Sequence, residues 1–293
     1  MEARSHGIGS RRLRVVDTYL KKMAGTGKTK YLGPLKELLD GLSRETFIVF
    51  DTETTGLDQH DHQVTEIAAV AVKGSELQKI DSMHARAALT PDTMKQIEDQ
   101  KSGENLPEDK RHKTVEEVLK MNKYEDSDLE ARPEHDILSE FKEFCSKHNA
   151  LIVGHNPEFD LRMVGTKVGR IPNRGVWDTM MFARFFFYPM LEALEDSGDE
   201  TAAKVLSGIR NAKGRPQATL GKVLQALGVP IQGWHTAMAD VESTVKAFQA
   251  IMAYVKEHID VADTEGYRKH MSRAFKRVRD FKRHGYGGGN PGH

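Results

Sequence analysis

The sequence predicts an α/β fold in which several helices cover a mixed β-sheet. Three observations lead to this prediction. β-rich segments cluster between residues 47 and 87, a short apolar strand near residue 150 lies between two amphipathic helices, and the chain beyond residue 178 shows helical periodicity. The 293 residues, 38% of them hydrophobic, can form one main domain and still carry extensions.

Two short amphipathic helices precede the first predicted strand. In "RRLRVVDTYLKKM" and in "PLKELLDGLS" the apolar residues recur at helical spacing, which is typical of helices that bury one face. We assign both helices to a basic N-terminal helical extension over residues 1–43. The main domain is expected over residues 44–258.

Three strands are predicted at the start of the main domain. "FIVF" from Phe47, "VTEIAAVAV" at 64–72 and "LQKIDSMHARA" at 77–87 have strand composition and follow one another closely enough for a meander. This part of the sheet should therefore have antiparallel character. Residues 91–135 are highly charged, contain one helical stretch at "TVEEVLKMN", and are interpreted as an insertion or mobile loop.

The second half of the domain is predicted to be mostly helical. "ILSEFKEFCSKH" forms an amphipathic helix, "ALIVG" a buried strand, and "PEFDLRMV" the start of a helix with Pro157 in its first turn and Asn156 as its cap. Asp178 is expected to cap the next helix. Further helices are predicted in "DETAAKVLSGIR", "ATLGKVLQAL" and "DVESTVKAFQAIMAYVKEH", and residues 259–293 should form a basic helix and a Gly-rich tail.

Composition excludes several classes of protein. No apolar run approaches the roughly 18–20 residues that a membrane helix needs, and no secretory signal follows the Arg-rich start. We therefore expect no membrane partner and a soluble, intracellular protein in the cytoplasm. Cys145 is the only cysteine, which excludes an intrachain disulfide and a cysteine-built zinc site.

Basic and acidic residues are segregated along the chain. Residues 1–30 hold eight Lys and Arg against two acids, and residues 266–293 hold eight against one. The formal net charge is zero, so the middle of the chain is acidic. The basic ends could be solvated tails or could contact nucleic-acid phosphates, and composition does not choose between the two.

One stretch imitates a phosphate-binding loop. "AGTGKTK" (24–30) contains the Gly-Lys-Thr of that motif, but Lys22 stands where its first glycine belongs, and a predicted helix precedes it instead of a strand. We interpret it as a linker that ends a helix.

A pair of acids ends the first predicted strand. In "VFDTETTGL" Asp51 and Glu53 are two residues apart, so their carboxylates point to the same face and repel each other. The pair can be tolerated if one acid is protonated, if a base pairs with them, or if a divalent cation lies between them. A strand-end turn with solvated acids is the alternative that the pair alone leaves open.

Two later stretches direct more acids inward. In "GHNPEFDLRMV" Asp160 lies on the apolar stripe of its own helix, and in "WHTAMADVEST" His235 precedes a helix whose first turn carries Asp240. Several inward acids without matching bases favour a metal, and oxygen ligands favour Mg²⁺ or Mn²⁺ over zinc.

Three motifs in order resemble those of the DEDDh (DnaQ-like) 3′→5′ exonucleases: "FDTETTGL", "GHNPEFD" and the H-x₄-D of "HTAMAD". The family includes the proofreading subunit of the bacterial replicative polymerase, RNase T and oligoribonuclease. Softer matches are "TEIAAV", "WDTMMFAR" and "ATLGKVLQALGVP". The resemblance implies a ribonuclease H-like fold and the stepwise release of nucleoside monophosphates from a 3′ end. The segment 91–135, the stretch before the third motif and both basic ends depart from the family pattern.

The resemblance also assigns roles. It implies two Mg²⁺ ions, replaceable by Mn²⁺, held by Asp51, Glu53, Asp160 and Asp240, with His235 as the general base. Two cations can assist both the attacking water and the leaving oxygen of a phosphodiester, and a histidine titrates near neutrality. Thr54, Thr55, Gly56 and Leu57 are the implied contacts to the terminal nucleotide.

Other polar residues near the motifs have weaker assignments. His155 is interpreted as structural, Asp178 as a helix cap instead of a ligand, and a supporting role for Glu66 near the metals is left open.

The substrate is predicted to be a single-stranded nucleic acid, with DNA favoured over RNA because "DTETTGL" looks more like the proofreading branch. An RNA exonuclease and a catalytically silent nucleic-acid-binding scaffold are the alternatives. A polymerase or repair assembly is a possible partner.

Overall fold

The computed structural model describes residues 39–42, 44–103, 113–230 and 236–284, the last ten of these by their backbone. Residues 39–42 are helical, in agreement with the end of the second predicted N-terminal helix. The first N-terminal helix, the "AGTGKTK" stretch, His235 and the Gly-rich tail lie outside the described residues.

A five-stranded mixed sheet forms the centre of the domain, in the order β3-β2-β1-β4-β5. Strands β1 to β3 pair antiparallel, as predicted, whereas β4 and β5 run parallel to β1. The strands are β1 (Thr46–Thr54), β2 (Val64–Lys73), β3 (Gln78–Arg86), β4 (Leu151–Gly154) and β5 (Gly175–Asp178). The predicted α/β class is confirmed.

Helices cover both faces of this sheet. A π-helical segment, Ala183–Phe187, joins α5 to α6, and 3₁₀ turns occupy Asp126–Glu130 and Ile259–Asp263. The helices are α1 (Pro91–Lys101), α2 (Val115–Met121), α3 (Glu134–His148), α4 (Glu158–Val168), α5 (Thr179–Phe182), α6 (Tyr188–Asp196), α7 (Glu200–Ile209), α8 (Leu220–Ala226), α9 (Ala237–Glu257) and α10 (Glu265–His284).

Strand β1 is apolar without alternation because both of its faces are buried. Phe47 faces α9 and packs edge-to-face on Phe248, with ring centroids 5.3 Å apart. Phe50 faces α3 and stacks on Phe141 at 4.9 Å. Helices α5, α6 and α9 share the first core, and α3 and α4 share the second.

The segment 91–135 is structured wherever it is described. Thr90 caps α1 by accepting a hydrogen bond from the Thr93 amide, and Thr114 and Glu117 form a capping box on α2. Helix α1 was not predicted, because its sequence "PDTMKQIEDQK" has few apolar residues. The described residues of this segment therefore include two capped helices, and its interpretation as an insertion or mobile loop stays a prediction.

Three local differences follow from short-range geometry. The four-residue strand β5 was not predicted, because four residues carry no usable periodicity. Asn156 does not cap α4: its φ is +64°, and Pro157 occupies the N-cap position without a side-chain bond. Asp178 caps α5 as predicted, accepting hydrogen bonds from the amides of Met180 and Met181.

No helix in the described part of the chain combines the length and the apolar character that crossing a membrane requires.

Candidate active site

Three carboxylates meet at the C-terminal end of β1. Asp51 and Glu53 project to the side of the sheet that α9 covers, and Asp240 approaches from the first turn of α9. One oxygen from each of the three lies within 4.8 Å of the others, and all three residues are half-buried. The predicted convergence of Asp51, Glu53 and Asp240 therefore occurs.

The N-terminus of α9 places Asp240. Thr236 caps the helix, since its hydroxyl accepts a hydrogen bond from the Ala239 amide and its carbonyl accepts one from the Asp240 amide at 3.1 Å. Val241 and Phe248 are fully buried on the same helix. The helix is thereby fixed to the sheet with its positive end at the carboxylates.

Asp160 approaches β1 from α4, on the other side of the sheet. It is 6% exposed. One of its oxygens accepts hydrogen bonds from the Thr52 amide at 3.2 Å and the Thr52 hydroxyl at 2.6 Å. Thr52 lies between Asp51 and Glu53 on the strand, so these bonds hold Asp160, the fourth predicted acid, beside the other three. Asp160 is not one of the three acids whose oxygens converge within 4.8 Å.

The carboxylates destabilise one another's charge. Burial raises the pKa of Asp51 well above its usual range, and the charges of Asp160, Glu53, Asp240 and Glu66 raise it further. Burial and the neighbouring acids raise the pKa of Glu53 to about 8, and the charge of Arg86 opposes that shift. The site is therefore short of positive charge.

Glu66 extends the acidic group across the sheet. It pairs with Glu53 in the β1–β2 register and with Arg86 in the β2–β3 register, and side chains paired in this way share a face. Its carboxylate lies 2.7 Å from His84 Nε2 and 3.0 Å from an Arg86 nitrogen. Arg86 also contacts Asp128 at 2.6 Å. The contacts with His84 and Arg86 compensate the negative charge of Glu66. Its pairing with Glu53 makes it a neighbour of the three converging carboxylates.

These residues fit a bound divalent cation. Three converging carboxylates form an oxygen-ligand set, which suits a hard cation such as Mg²⁺ or Mn²⁺, and two of them, Asp51 and Glu53, have raised pKa values. Arg86, whose charge acts on Glu53, is already engaged by Glu66 and Asp128. Without a cation, ionising all three acids would be costly.

The TTGL segment (Thr54–Leu57) leaves β1 next to this group, after a β-bulge in the pairing between Glu53 and Thr54. Thr54 and Thr55 are buried, and their hydroxyls are engaged within the loop: Thr54 bonds to the Gly56 carbonyl, and Thr55 accepts from the Gln63 amide. The side chain of Leu57 is 48% exposed. Of the four predicted contact residues, Leu57 presents its side chain most openly.

Gly56 is required for packing inside this segment. A Cβ at this position would overlap the imidazole ring of His62, which also hydrogen-bonds the Thr55 hydroxyl at 3.2 Å. The loop that follows β1 can fold back against the TTGL segment only because residue 56 has no side chain.

A cleft of about 200 Å³ opens beside the TTGL segment. Leu57, Phe159 and Met163 give it apolar walls, and Arg162 adds a positive charge. Phe159 and Arg162 precede and follow Asp160 along α4, but none of the four predicted acids lines the cleft, whose lining is completed by Asp58, Gln59 and His60. It can accept a flat apolar group together with an anion.

His155 has a structural environment, in agreement with its interpretation. Its ring nitrogens lie 3.0 Å from the Thr179 hydroxyl and 2.8 Å from the Ala218 carbonyl. Asp178, at the end of β5, accepts a hydrogen bond from the Asn156 amide in addition to capping α5. Both residues tie the ends of β4 and β5 to the neighbouring helices.

Sequence reasoning missed several residues around the site: His62, Gln63, His84, Arg86 and Asn122. No motif contains them. Their positions depend on strand register and on the path of the insertion, and the pattern of residues in the chain does not carry that information.

Comparison with known proteins places this geometry in a family. The model of a family described as exonuclease (RNase_T) matches residues 48–248. PolC-type DNA polymerase III of Staphylococcus haemolyticus is 26% identical over 245 residues, which cover 81% of this chain and 14% of that protein. The Bacillus cereus protein of the same name is 33% identical over 154 residues, covering 51% and 9%. The chain thus spans a small fraction of the length of these curated relatives.

Solved structures share the fold. Escherichia coli exonuclease I in complex with a dT13 oligonucleotide matches with a TM-score of 0.52 at 18% identity, covering 74% of this chain and 43% of that one. Exonuclease I from Methylocaldum szegediense matches with a TM-score of 0.50 at 16% identity, covering 73% and 42%. The mixed sheet with its flanking helices is therefore the ribonuclease H-like fold of exonucleases.

The family match covers more than half of the chain and includes Asp51, Glu53, Asp160 and Asp240. It confirms the resemblance seen in the three motifs. The chain belongs to this exonuclease family, whose members are metal-dependent hydrolytic nucleases that act on nucleic acid.

Proposed function

We propose that this protein is a 3′→5′ exonuclease that releases nucleoside monophosphates from single-stranded DNA, with two Mg²⁺ ions that Mn²⁺ can replace. The observation that carries the proposal is the group of Asp51, Glu53 and Asp240, whose oxygens converge within 4.8 Å at the end of β1.

The acids have distinct tasks in this proposal. Asp51, Glu53 and Asp240 would hold one cation, and Asp51 and Asp160 would serve the second. When bound, the cations supply the positive charge that stabilises the phosphodiester transition state and its leaving oxygen. The Thr52 hydroxyl and amide orient Asp160 for this task.

His235 is the proposed general base. In the sequence it immediately precedes Thr236, the cap of the helix that carries Asp240. An imidazole can accept a proton from the attacking water near neutral pH and release it afterwards.

The TTGL segment and the cleft would hold the 3′-terminal nucleotide. Leu57 and Phe159 offer apolar surface to the base or sugar, and Arg162 offers a partner for a phosphate oxygen. The buried threonines Thr54 and Thr55 shape the segment, and Gly56 makes room for His62 to pack against it. Support for single-stranded DNA as substrate comes from the oligonucleotide in the E. coli exonuclease I complex.

A polymerase or repair assembly is the proposed context, because PolC-type polymerases contain a matching region. This chain covers only 14% of the first relative, so an association with a polymerase has to be tested directly.

The deciding experiment compares four matched substrates. Single- and double-stranded DNA and RNA of one sequence, labelled at the 5′ end, are incubated with protein and Mg²⁺. We expect a ladder of products that shorten by one nucleotide from the 3′ end, fastest on single-stranded DNA. Faster digestion of the RNA would establish the RNA exonuclease alternative.

Asp51→Ala is the control for contaminating nuclease and should lose nearly all activity. If the wild-type protein binds the oligonucleotides but digests none of them with Mg²⁺ or Mn²⁺, it is a silent nucleic-acid-binding protein, and the proposed activity is wrong.

A further inference from the structure

Two buried amide side chains connect the insertion to the TTGL segment. Gln63 is 2% exposed and Asn122 is 3% exposed. Both residues connect to consecutive residues of the segment: the Gln63 backbone bonds to Thr55, and the Asn122 side chain bonds to Thr54. Amides are seldom buried this deeply unless hydrogen bonds compensate for the lost water.

Gln63 joins the start of α1 to Thr55. Its side-chain nitrogen donates to the Ala88 carbonyl at 2.6 Å, and its side-chain oxygen accepts from the Thr90 amide and the Thr93 hydroxyl, both at 2.9 Å. The backbone carbonyl of Gln63 accepts a hydrogen bond from the Thr55 amide at 2.9 Å, and the backbone amide of Gln63 donates one to the Thr55 hydroxyl at 3.0 Å. Displacement of α1 would therefore move Thr55.

Asn122 makes the second connection, directly after α2. Its side-chain nitrogen donates to the Thr54 carbonyl at 3.2 Å. Its side-chain oxygen is buried and has no hydrogen-bond partner among the described residues. A buried carbonyl without a partner lowers stability, and an apolar side chain of the same size would avoid that loss. Packing alone therefore does not explain an asparagine here.

The insertion that carries Asn122 is itself fixed to the sheet. The Tyr124 hydroxyl contacts the Ala87 carbonyl at 2.9 Å and the Asp128 carbonyl at 3.0 Å. Asp128 pairs with Arg86, which pairs with Glu66 beside the carboxylate group. Asn122 thus extends from a firm support to the residue that follows Glu53.

We propose that Gln63 and Asn122 are positioning residues. They hold the TTGL segment in the position relative to the carboxylates that binding of the terminal nucleotide requires. The inference rests on the proposed function. It gives the insertion a task in substrate placement, through contacts made on its inner side.

Asn122→Leu tests the proposal, because leucine has a similar size and removes the donor together with the unpartnered oxygen. We expect an unchanged or higher melting temperature. KM for a single-stranded oligonucleotide should rise about tenfold, on the scale of one buried hydrogen bond, while kcat changes little because the carboxylates are untouched.

Tyr188→Phe, on α6, is the matched control. It removes a buried hydrogen bond to the Gln217 carbonyl that belongs neither to the insertion nor to the TTGL segment. We expect a lower melting temperature and an unchanged KM. A second test variant, Gln63→Met, keeps the length of the side chain while removing its three bonds, and should raise KM as Asn122→Leu does.

Binding is measured separately by fluorescence anisotropy of the same oligonucleotide, with each variant placed in an Asp51→Asn background that cannot turn over. This arm still tests positioning if the wild-type protein digests nothing, a result that would contradict the proposed function alone. Wild-type affinity and KM in both Asn122→Leu and Gln63→Met would overturn the inference. So would a loss of stability and kcat with an unchanged KM.

Discussion

At the scale of single residues, the acids at the end of β1 lower stability unless something neutralises them. The pKa of Glu53 is raised from 4.5 to about 8, and that of Asp51 is raised well above its usual range. In the metal-free protein the folded state therefore holds protons that the unfolded chain has already released. Stability must then fall as pH rises from about 4.5 to about 8.

The fall in stability with rising pH gives the first prediction. In EDTA the melting temperature of the wild-type protein should decrease between pH 5 and pH 8, and Mg²⁺ should restore it more at pH 8 than at pH 5. Asp51→Asn should raise the metal-free melting temperature at pH 8, by about 2–4 °C for each kcal/mol of repulsion removed. It should also lose nearly all nuclease activity.

Thermal scans at the two pH values, with EDTA or with MgCl₂, provide the measurement. Glu143→Gln, on the exposed surface of α3, serves as the control because it removes a carboxylate on the opposite side of the sheet from α9. If the melting temperature of the wild-type protein changes neither with pH nor with Mg²⁺, the assignment of these acids to a metal site is wrong.

His235 gives the second prediction at this scale. If it is the general base, His235→Ala should lower kcat by about 10²–10⁴-fold and leave oligonucleotide binding unchanged. Single-turnover rates near pH 7 and anisotropy titrations separate the two quantities. His135→Ala, which changes an exposed histidine on α3, should behave as wild type. A normal rate in His235→Ala would move the base elsewhere.

At the scale of secondary-structure elements, the site depends on how α9 is seated. Phe248 lies two turns after Asp240 and is fully buried. Its ring packs against the rings of Phe47 on β1 and Phe182 on α5, with centroid distances of 5.3 Å and 6.2 Å. The same packing that fills the core therefore fixes the distance between Asp240 and the acids on β1.

The third prediction follows from this packing. Phe248→Ala should lower the free energy of unfolding by about 3–5 kcal/mol, as large-to-small core changes do. It should also weaken Mg²⁺ stabilisation, because α9 can shift relative to β1. Urea denaturation with and without Mg²⁺ measures both effects. Phe144→Ala, in the other core, should lower stability without reducing the stabilisation that Mg²⁺ provides. If Mg²⁺ stabilises both variants equally, the packing of Phe248 does not affect the metal site.

The elements that sequence reasoning found, and those it missed, differ in physical kind. Strand β2 and helix α9 were predicted because each buries a long regular row of apolar residues. Helix α1 and strand β5 were missed because one is nearly all polar and the other has four residues. The convergence of Asp51 and Glu53 could be predicted from strand alternation, and the resemblance of the three motifs implied that Asp240 joins them. The links made by Glu66, Gln63 and Asn122 could not, since each crosses between elements whose register the sequence does not state.

At the scale of the whole molecule, the acidic domain has to bind a polyanion. The described start of α10 packs on α6: Tyr267 and Met271 are buried, and His270 contacts Asp196 at 2.9 Å. The start of this helix is thus part of the packed domain. Beyond this anchor the sequence places five cations on the same helix: Lys276, Arg277, Arg279, Lys282 and Arg283.

The last prediction concerns these cations, which we propose bind substrate phosphates away from the active site. Changing all five to glutamine keeps good helix formers in place and spares the anchor, which deletion from residue 266 would remove. The salt dependence of single-strand binding should become less steep, by about 0.7 in the log–log slope for each phosphate that the protein no longer neutralises. Processive runs on long oligonucleotides should shorten, whereas trinucleotides, which need only the carboxylate site, should be cut at the wild-type rate. Anisotropy titrations in the Asp51→Asn background from low to high salt supply the slope. An unchanged slope in a variant with wild-type melting would assign this half of the helix to a protein partner or to structure, because the five cations would then neutralise no phosphate in the complex.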